Sequence, residues 1–297
     1  MSFKQRVFNR LTEGCWNLGF IEEPLEGIIA GESIVIHYLH HRFKDRWFAD
    51  PWLLDVDDKV IKVLVEEYKY RERCGYISLL TIDRSQYSLI STKTLLKLPT
   101  HLSFPAILRK DDKVYIYPEN AAGEGLGLYE LGNDTCIHVW NISKEPLADA
   151  VITNCFGDNL LFSTHVPTHN GNILTVYKIE LFKGEPELET EVAFTSNVAR
   201  NAGNWFRIGN KVYRPAQDCN GRYGSAVILQ EVEKEENRYV FKDIRRITST
   251  NPKLSTGLHT FNHLNGLTVV DVHGYHHSKI IARLVLSLFD YYVKLFK

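Results

Sequence analysis

The sequence has no marked excess of either charge and no long uninterrupted apolar run. Its 297 residues include 35 Lys and Arg and 36 Asp and Glu, which gives a formal net charge of −1. A balanced charge argues against general nucleic-acid affinity. No apolar run reaches transmembrane length without charges, and the stretch from Met1 to Phe20 has no apolar core of signal-peptide length. We therefore expect no nucleic-acid partner, no membrane span and no secretion signal.

Cysteines and cofactor motifs are also sparse. The five cysteines form no CxxC pair and lie at positions 15, 74, 136, 155 and 219. An odd, irregular set suits reduced thiols better than disulfides or a zinc site, so we expect a cytoplasmic protein. The Gly-rich stretches 123–127 and 219–224 lack the features of a phosphate-binding loop, and no GxSxG elbow is present. We expect no cofactor, and we favour exposed loop histidines over a metal site for His37, His40 and His41.

A strand–turn–strand layout recurs five times in the chain. The most informative copy reads VARNAGNWFRIGNKVYRPAQD, from Val198 to Asp218, with a Gly-Asn turn between two apolar runs. Four further copies follow the same pattern at 48–68, 102–120, 147–165 and 258–274. Their anchor residues recur at roughly 40–60 positions, which is close to the period of propeller blades, and they are Asp50, Phe104, Asp149, Asn201 and Thr260.

This repetition predicts an all-β fold, a five-bladed β-propeller occupying residues 1–277. Further strand-like runs after the hairpins, such as 75–81 and 174–179, would complete four-stranded blades. A β-sandwich with chance repetition is the alternative. The strand-like stretch from Gly27 to His37 is expected to pair with the last blade and close the ring, which would remove exposed sheet edges.

Residues 278–297 predict an amphipathic C-terminal helix. Within KIIARLVLSLFDYYVKLFK the polar positions form one narrow stripe, made of Lys279, Arg283, Ser287, Asp290, Lys294 and Lys297. Such a helix fits a peripheral contact with the inner face of the membrane, near lipid-linked glycans, or docking on the propeller or a partner chain. The sequence leaves both interpretations open.

Several short motifs resemble a known domain. The pieces FADPWLL, HLSFPAIL with IYPEN, YRPAQDCNGRYG and GLHTFN resemble the N-terminal domain of plant glucosamine inositolphosphorylceramide transferases and related domains of bacterial surface-polysaccharide clusters. The resemblance covers about Trp47 to Gly274. In the plant proteins a separate glycosyltransferase domain follows, so its activity does not carry over.

The same domain is more distantly similar in blade layout to five-bladed furanosidases such as invertases and arabinanases. Those enzymes use one acidic residue in each of the first three blades. By this resemblance Asp50 takes the first position and Asp149 the equivalent position of blade three. Blade two departs from the pattern, because it has Phe104 there and an acid, Glu119, only at the end of its second strand.

We expect the inner strands to bring the polar strand ends together at one mouth. The predicted catalytic residues are Asp50 as base or nucleophile, Asp149 as pKa tuner or acid, and Glu119 as alternative acid. The predicted substrate-binding residues are Trp52, Arg200, Asn201, Arg214, Gln217, Asp218, Tyr223, His259 and Asn262. Weaker acidic candidates are Glu66, Glu67 and Asp271, and candidate sugar-stacking aromatics are Trp47, Trp52, Phe104 and Trp205. Each acid could instead stabilise its blade by accepting backbone hydrogen bonds.

The functional hypothesis is a carbohydrate-active enzyme. It would make or cleave a glycosidic bond during surface-polysaccharide or glycolipid synthesis, with a sugar, nucleotide-sugar or lipid-linked glycan as substrate. One alternative is a propeller that binds a glycan without turnover and partners a glycosyltransferase. Another is a scaffold for protein interactions.

Overall fold

The computed structural model describes residues 14–123, 125–165, 171–236 and 238–275, together with residues 284, 287, 288, 291 and 292. Within these residues the chain forms five four-stranded antiparallel sheets. They are the blades of a five-bladed β-propeller. The predicted all-β propeller is therefore confirmed, and the β-sandwich alternative is wrong.

Four blades are continuous in sequence and the fifth joins the two ends of the chain. Blade 1 contains β3 (Arg46–Val56), β4 (Val60–Lys69), β5 (Cys74–Asp83) and β6 (Ser88–Leu96). Blade 2 contains β7 (Ser103–Lys110), β8 (Lys113–Glu119), β9 (Leu126–Leu131) and β10 (Cys136–Ser143). Blade 3 contains β11 (Leu147–Thr153), β12 (Leu160–His165), β13 (Ile173–Glu180) and β14 (Lys183–Ala193). Blade 4 contains β15 (Phe206–Ile208), β16 (Lys211–Asp218), β17 (Ala226–Glu235) and β18 (Arg238–Ile247). Blade 5 contains β19 (Phe261–Leu264), β20 (Leu267–Tyr275), β1 (Gly14–Ile21) and β2 (His37–Tyr38).

The five repeated hairpins of the sequence are the first two strands of the five blades. They correspond to β3–β4, β7–β8, β11–β12, β15–β16 and β19–β20. The first strands approach one another across blades, with β3 against β7 and β7 against β11. Equivalent positions of the repeat therefore gather around one central axis.

The ring is closed by β1, not by the stretch from Gly27 to His37. β1 pairs antiparallel with β20 along its whole length, from Gly14 opposite Tyr275 to Ile21 opposite Thr268. The expected strand is wrong except at its last residue, because α1 (Leu25–Ala30) is a helix that ends at Gly31 in the left-handed conformation and the residues from 31 to 36 form no strand. Only β2, at its far end, joins the sheet.

The helix forms there because its apolar residues have a tertiary partner. Leu25 and Ile28 are three residues apart, so they share one helix face, and both are buried in the core between blades 4 and 5. The guanidinium of Arg245 donates to the carbonyl of Ile28 and, at 2.6 Å, to that of Glu32. These two bonds hold the end of α1 and the turn after it against blade 4, in addition to the Gly31 N–H that the Ile28 carbonyl also accepts.

Apolar cores fill the spaces between neighbouring blades. The largest cluster spans blades 1 to 4, a second lies between blades 5 and 1, and a third lies between blades 4 and 5 under α1. The blades are thus held together by burial between sheet faces, which leaves the polar strand ends near the axis free for a site.

The tail is described at only five positions. Leu284, Ser287, Leu288, Tyr291 and Tyr292 have helical conformation, and the rest of the predicted helix and the boundary at 277 lie outside the described residues. Four of these side chains, all except Ser287, are apolar or aromatic and are 59–67% exposed. In the described part of the chain no helix combines the length and the apolar character needed to cross a bilayer.

Candidate functional site

Three blades interrupt their first strand at the same point. Asp50, Phe104 and Asp149 have φ angles of 49°, 45° and 47°, and the register between the first two strands shifts beside each of them. A residue with left-handed backbone conformation in such a bulge changes the direction of its side chain. Its backbone N–H is then not hydrogen-bonded to the neighbouring strand. We call Asp50, Phe104 and Asp149 the bulge residues.

A carboxylate from the preceding blade accepts the amide of each bulge residue. Asp271 accepts the Asp50 N–H at 3.1 Å, and Asp50 accepts the Phe104 N–H at 3.0 Å. Glu119 accepts the Asp149 N–H at 3.0 Å. These bonds link blade 5 to 1, 1 to 2 and 2 to 3, so the acids also stabilise the strained bulges.

The second strands supply polar residues at an equivalent register. Glu66 lies opposite Ala49 and Glu119 opposite Ser103, one residue before the bulge in each case. Asp271 accepts the amides of His259 and Thr260 in blade 5 at 2.8 and 3.0 Å. The repeat therefore places Asp271 and Glu66, which sequence reasoning ranked below the other acids, in the same layer as Glu119.

His259 lies between two carboxylates. Its Nδ1 is 2.5 Å from Asp271 Oδ2, and its Nε2 is 3.4 Å from Asp50 Oδ1. Burial lowers the pKa of His259, but Asp271 and Asp50 outweigh it and raise that pKa to about 9. At neutral pH the ring is therefore an imidazolium.

Like His259, Arg200 is a basic side chain that contacts two carboxyl groups. Its Nε donates to Asp149 Oδ2, and its Nη2 is 3.7 Å from Glu119 Oε2. Gln217 also donates to Asp149 Oδ2, at 2.7 Å. Two acids from blades 2 and 3 are thus held by one guanidinium from blade 4.

The rim of the site is aromatic. Trp16 stacks on His259 with ring centroids 4.1 Å apart. Tyr223 lies over the Arg200 guanidinium at 5.0 Å and meets the His259 ring edge-on at 5.2 Å. The Tyr223 side chain is 43% exposed, whereas the side chains beneath it are almost enclosed, so a ligand approaching Arg200 from solvent meets Tyr223 first.

Eight charged or titratable side chains form what we call the axial cluster. Its carboxyl groups are Asp50, Glu66, Glu119, Asp149 and Asp271, and its basic groups are His101, Arg200 and His259. If all were ionised, five negative charges would face three positive charges. Burial raises the pKa of Glu119 to about 7, with Asp149 adding to the effect, and raises that of Asp50 well above its usual value, with Glu66, Asp271 and Asp149 adding to it. The cluster can therefore hold a proton near neutral pH, with Glu119 and Asp50 as the two groups able to carry it.

The triad of Asp50, His259 and Asp271 also has the geometry of a small cation site. One ligand atom from each lies within 4.8 Å of the others. A protonated imidazole has no lone pair to offer, however, and both of its nitrogens already face carboxylates. The arrangement fits a buried imidazolium between two acids better than a metal ion.

Three of the predicted binding residues form a scaffold around Asp149. Arg214 is fully buried and donates to Asn201 Oδ1 at 2.8 Å and to Gln230 Oε1 at 2.8 Å. Asn201 in turn donates to the carbonyl of Asp149 at 2.9 Å. Arg214 thus supports the site from behind and does not reach its surface, whereas Gln217 touches Asp149 directly.

Two other predicted residues make their hydrogen bonds to partners outside the axial cluster. Asp218 pairs with Arg246 at 2.8 Å and with the Asn220 amide at 3.0 Å, which fixes the loop after β16. Asn262 donates to the carbonyl of Pro51 at 2.8 Å and accepts the Asn204 N–H at 2.7 Å. Both tie segments of the ring together.

Most of the predicted aromatics are core residues. Trp52 is 3% exposed and packs edge-on against the buried Phe104, and Trp205 is 4% exposed and packs on Phe162. Trp52, Trp205 and Asn262 line a cavity of about 740 Å³ whose lining includes none of the axial cluster residues. Phe104 meets the cluster through its amide, which Asp50 accepts. Trp47 is near the cluster through its stack on Tyr68, whose ring lies 6.0 Å from that of His101.

Sequence reasoning missed Trp16 and His101. Trp16 comes from β1, which was not expected to close the ring, and His101 precedes the second repeat. His101 Nε2 is 2.9 Å from Glu66 Oε1, and that contact raises the pKa of His101. No local signal marks either residue. The nearest indication was the resemblance motif HLSFPAIL, which begins with His101.

Comparison with known proteins places the chain in a family. Residues 37–282 match the family described as "Glucosamine inositolphosphorylceramide transferase 1, N-terminal". The chain belongs to this family. Since the match covers the residues of blades 1 to 4 and both C-terminal strands of blade 5, the expected resemblance is confirmed.

Members of this family in plants are much longer than the matched part. The glucosamine inositolphosphorylceramide transferase 1 of Oryza sativa subsp. japonica is 28% identical over 145 residues, which are 45% of this chain and 19% of the rice protein. The protein of the same name from Arabidopsis thaliana is 30% identical over 154 residues, 47% of this chain and 20% of the relative. The aligned segment thus spans about a fifth of these relatives.

Similar solved structures establish the fold independently of sequence. A GH43_1 enzyme from Xanthomonas citri complexed with xylotriose has a TM-score of 0.53 at 10% identity, with 93% of each chain covered. An α-L-arabinofuranosidase from Clostridium thermocellum has a TM-score of 0.53 at 14% identity, covering 81% of this chain and 86% of its own. At such identities the likeness concerns the fold.

Proposed function

We propose that this propeller acts on a carbohydrate at the axial cluster, where it makes or cleaves a glycosidic bond. The observation that carries the proposal is that the buried carboxyl groups lie in unlike environments: the pKa of Glu119 is raised to about 7, whereas Asp50 lies beside the His259 imidazolium, which opposes the rise of the Asp50 pKa. Glycosyl chemistry needs one protonated and one ionised carboxyl group at the reacting bond. The names of the plant relatives, which describe sugar transfer to a ceramide lipid, and the sugar-bound structural neighbour support the choice of substrate class.

Glu119 is assigned the role of general acid. Its pKa of about 7 matches proton donation at neutral pH, and its side chain is 12% exposed, more than the Asp149 and Arg200 side chains that it faces. Asp50 is assigned the role of base or nucleophile: burial raises its pKa, but the His259 imidazolium beside it opposes that rise and favours the ionised carboxylate. Asp149, paired with Arg200, orients Glu119 through its amide and through the shared guanidinium.

Turnover by purified protein tests these roles. The full chain is incubated with nucleotide sugars, lipid-linked sugars and aryl glycosides, and product is followed by mass spectrometry. Glu119→Gln and Asp50→Asn should each lower the rate by about 100-fold or more, since each removes a proton-transfer group. Glu130→Gln, a matched change on the same blade but at an outer strand facing Lys113, should leave the rate unchanged. Turnover that survives Asp50→Asn would contradict the assignment.

A non-catalytic propeller that holds a glycan for a partner glycosyltransferase is the second candidate. It is favoured by the relatives, in which the aligned segment is only 19–20% of the protein. Isothermal titration calorimetry against the same sugars separates the two. Binding that is lost in Arg200→Met, together with no product after prolonged incubation, supports the binding module; product formation supports the enzyme.

We also propose that the substrate is lipid-linked and is met at the cytoplasmic face of a membrane. The support is the exposed apolar stripe of the tail, Leu284, Leu288 and Tyr291, at helical spacing. Such a stripe would hold the propeller at a membrane surface, where lipid-linked sugars are found.

A further inference from the structure

We propose that Trp16, on the ring-closing strand, is a positioning residue that fixes the His259 ring between Asp50 and Asp271 and favours its charged form. The proposal concerns the geometry of the axial cluster and rests on the proposed function only for its consequence for Asp50. Trp16 acts through its contact with His259, and not through a contact with Asp50 or with a substrate.

The contact is a parallel stack on an enclosed ring. The Trp16 and His259 rings are 4.1 Å apart between centroids and inclined by 16°. The edges of the same imidazole are occupied by Asp271 at 2.5 Å and Asp50 at 3.4 Å. Its side chain is 4% exposed, so Trp16 replaces water on one face. An indole face attracts a cation through its quadrupole, and it does so more strongly when the pair is desolvated.

The fold delivers Trp16 to this place only when the ring is closed. Trp16 lies opposite His273 in the β1–β20 ladder, and their rings meet at 4.7 Å. Gly257 makes room, because a Cβ there would lie 3.2 Å from the Trp16 ring and 2.8 Å from the Gly224 carbonyl oxygen. The N-terminal strand therefore completes the site as well as the sheet.

The charged and titratable neighbours of His259 come from four segments. Asp50 is on β3, Asp271 and His273 are on β20, Tyr223 is on the loop after β16, and Asp149 acts from β11. Burial lowers the pKa of His273 to about 4, with His259 and Arg222 adding to the effect, so His273 adds no positive charge near neutral pH. Burial disfavours the imidazolium form of His259, and the two adjacent acids and the indole face together offset this effect.

The charge on His259 affects the proposed chemistry because it changes how readily Asp50 ionises. An imidazolium at 3.4 Å favours the ionised form of Asp50. If His259 loses its proton more easily, Asp50 holds its own proton more strongly and acts less well as base or nucleophile. Trp16 thus supports the reactivity of an acid that it does not touch.

Nuclear magnetic resonance of the full chain labelled with isotopic histidine tests this. The His259 signal, assigned by its loss in His259→Gln, is titrated from pH 6 to 10. We expect a midpoint near 9 in the wild type, a fall of about one unit in Trp16→Leu, and a smaller fall in Trp16→Phe, which keeps a ring with weaker attraction. Trp140→Leu on β10, distant from the cluster, should leave the midpoint unchanged.

A change in the His259 midpoint is meaningful only if the variant is folded, so folding is measured independently. Circular dichroism and thermal melting show whether each variant is folded. If Trp16→Leu does not fold, the test uses Trp16→Phe and the pH dependence of Trp16 fluorescence in the wild type. Fluorescence reports on His259 because an imidazolium quenches a stacked indole more than a neutral imidazole does. An unchanged His259 midpoint in the folded Trp16 variants, or a wild-type-minus-Trp16→Phe fluorescence difference that shows no titration, overturns the proposal. Neither readout needs a substrate, so failure of the proposed function would leave this test intact.

Discussion

Two arginines of blade 4 have different tasks although both are buried beside polar residues. Arg200 faces the acids of the cluster. Arg214 gives its hydrogen bonds to Asn201, Gln230 and the carbonyls of residues 198 and 199, and its guanidinium lies between two phenylalanine rings at 5.6 and 5.5 Å. Burial lowers the pKa of Arg214 to about 9. Arg214 therefore holds the segment that carries Arg200.

Replacing Arg214 should reduce stability more than replacing an exposed arginine. Arg214→Met leaves Asn201 Oδ1, Gln230 Oε1 and two carbonyls without a donor in the core, and we expect the free energy of unfolding to fall by about 3 kcal/mol or more. Arg246→Met, at a pair whose arginine side chain is 51% exposed, should cost less than about 1 kcal/mol. Urea denaturation of both variants measures the difference, and equal midpoints would refute the structural role.

At the scale of the element, the tail differs from the blades in having an exposed apolar stripe. Leu284, Leu288 and Tyr291 are spaced by four and three residues, so they share a helix face, and they are 59%, 67% and 65% exposed. The propeller strands bury their apolar faces between blades. The tail therefore has apolar surface available for a membrane, as burying each such side chain is worth roughly 1.5–3 kcal/mol.

The membrane proposal predicts different effects of one charge on the two faces of the tail. Leu288→Glu should abolish sedimentation of the full chain with vesicles that contain anionic lipid. Ser287→Glu adds the same charge on the predicted polar stripe and should reduce binding only modestly, by about 1 kcal/mol. A chain ending at His277 is a second comparison. If all these proteins sediment equally, or if the wild type does not sediment, the tail has no membrane role.

At the scale of the whole molecule, the excess of carboxyl groups at the axis makes stability depend on pH. Glu119 has a folded pKa raised from 4.5 to about 7, so its stabilising contribution is fully present below pH 4.5 and is lost as pH rises through 7. His259, raised from 6.5 to about 9, contributes fully below pH 6.5 and loses its contribution as pH rises through 9. Both changes act in the same direction.

Below pH 6.5 this loss of stability is opposed by His273, whose pKa is lowered to about 4. The free energy of unfolding should therefore decline between about pH 6.5 and pH 9, by a few kcal/mol at about 1.4 kcal/mol per unit of raised pKa. Urea titrations at several pH values measure this decline. Between pH 5 and 7.5, Glu119→Gln should lose less stability with rising pH than the wild type does, because the variant has no carboxyl group to ionise at that position. A stability that rises from pH 6.5 to 9 would contradict the charge balance assigned to the axial cluster.

Local chemistry in the sequence determined the repeat and much of the site. Alternating apolar residues and Asp, Asn or Gly turns define a hairpin without reference to the rest of the chain, so the five inner hairpins could be predicted from the residues themselves. Because equivalent positions of a repeat meet at a propeller axis, the anchors Asp50, Phe104 and Asp149 were also aligned correctly, and all three are bulge residues.

Tertiary structure decided what depends on a distant neighbour. The stretch from Gly27 became partly helical because blades 4 and 5 offer a core for Leu25 and Ile28. Arg214 and Arg200 look alike in sequence, and only the surrounding phenylalanines and acids separate their roles. Trp16 entered the site because β1 pairs with β20, at the opposite end of the chain. These outcomes depend on burial and charge contributed by other blades, and no local pattern encodes them.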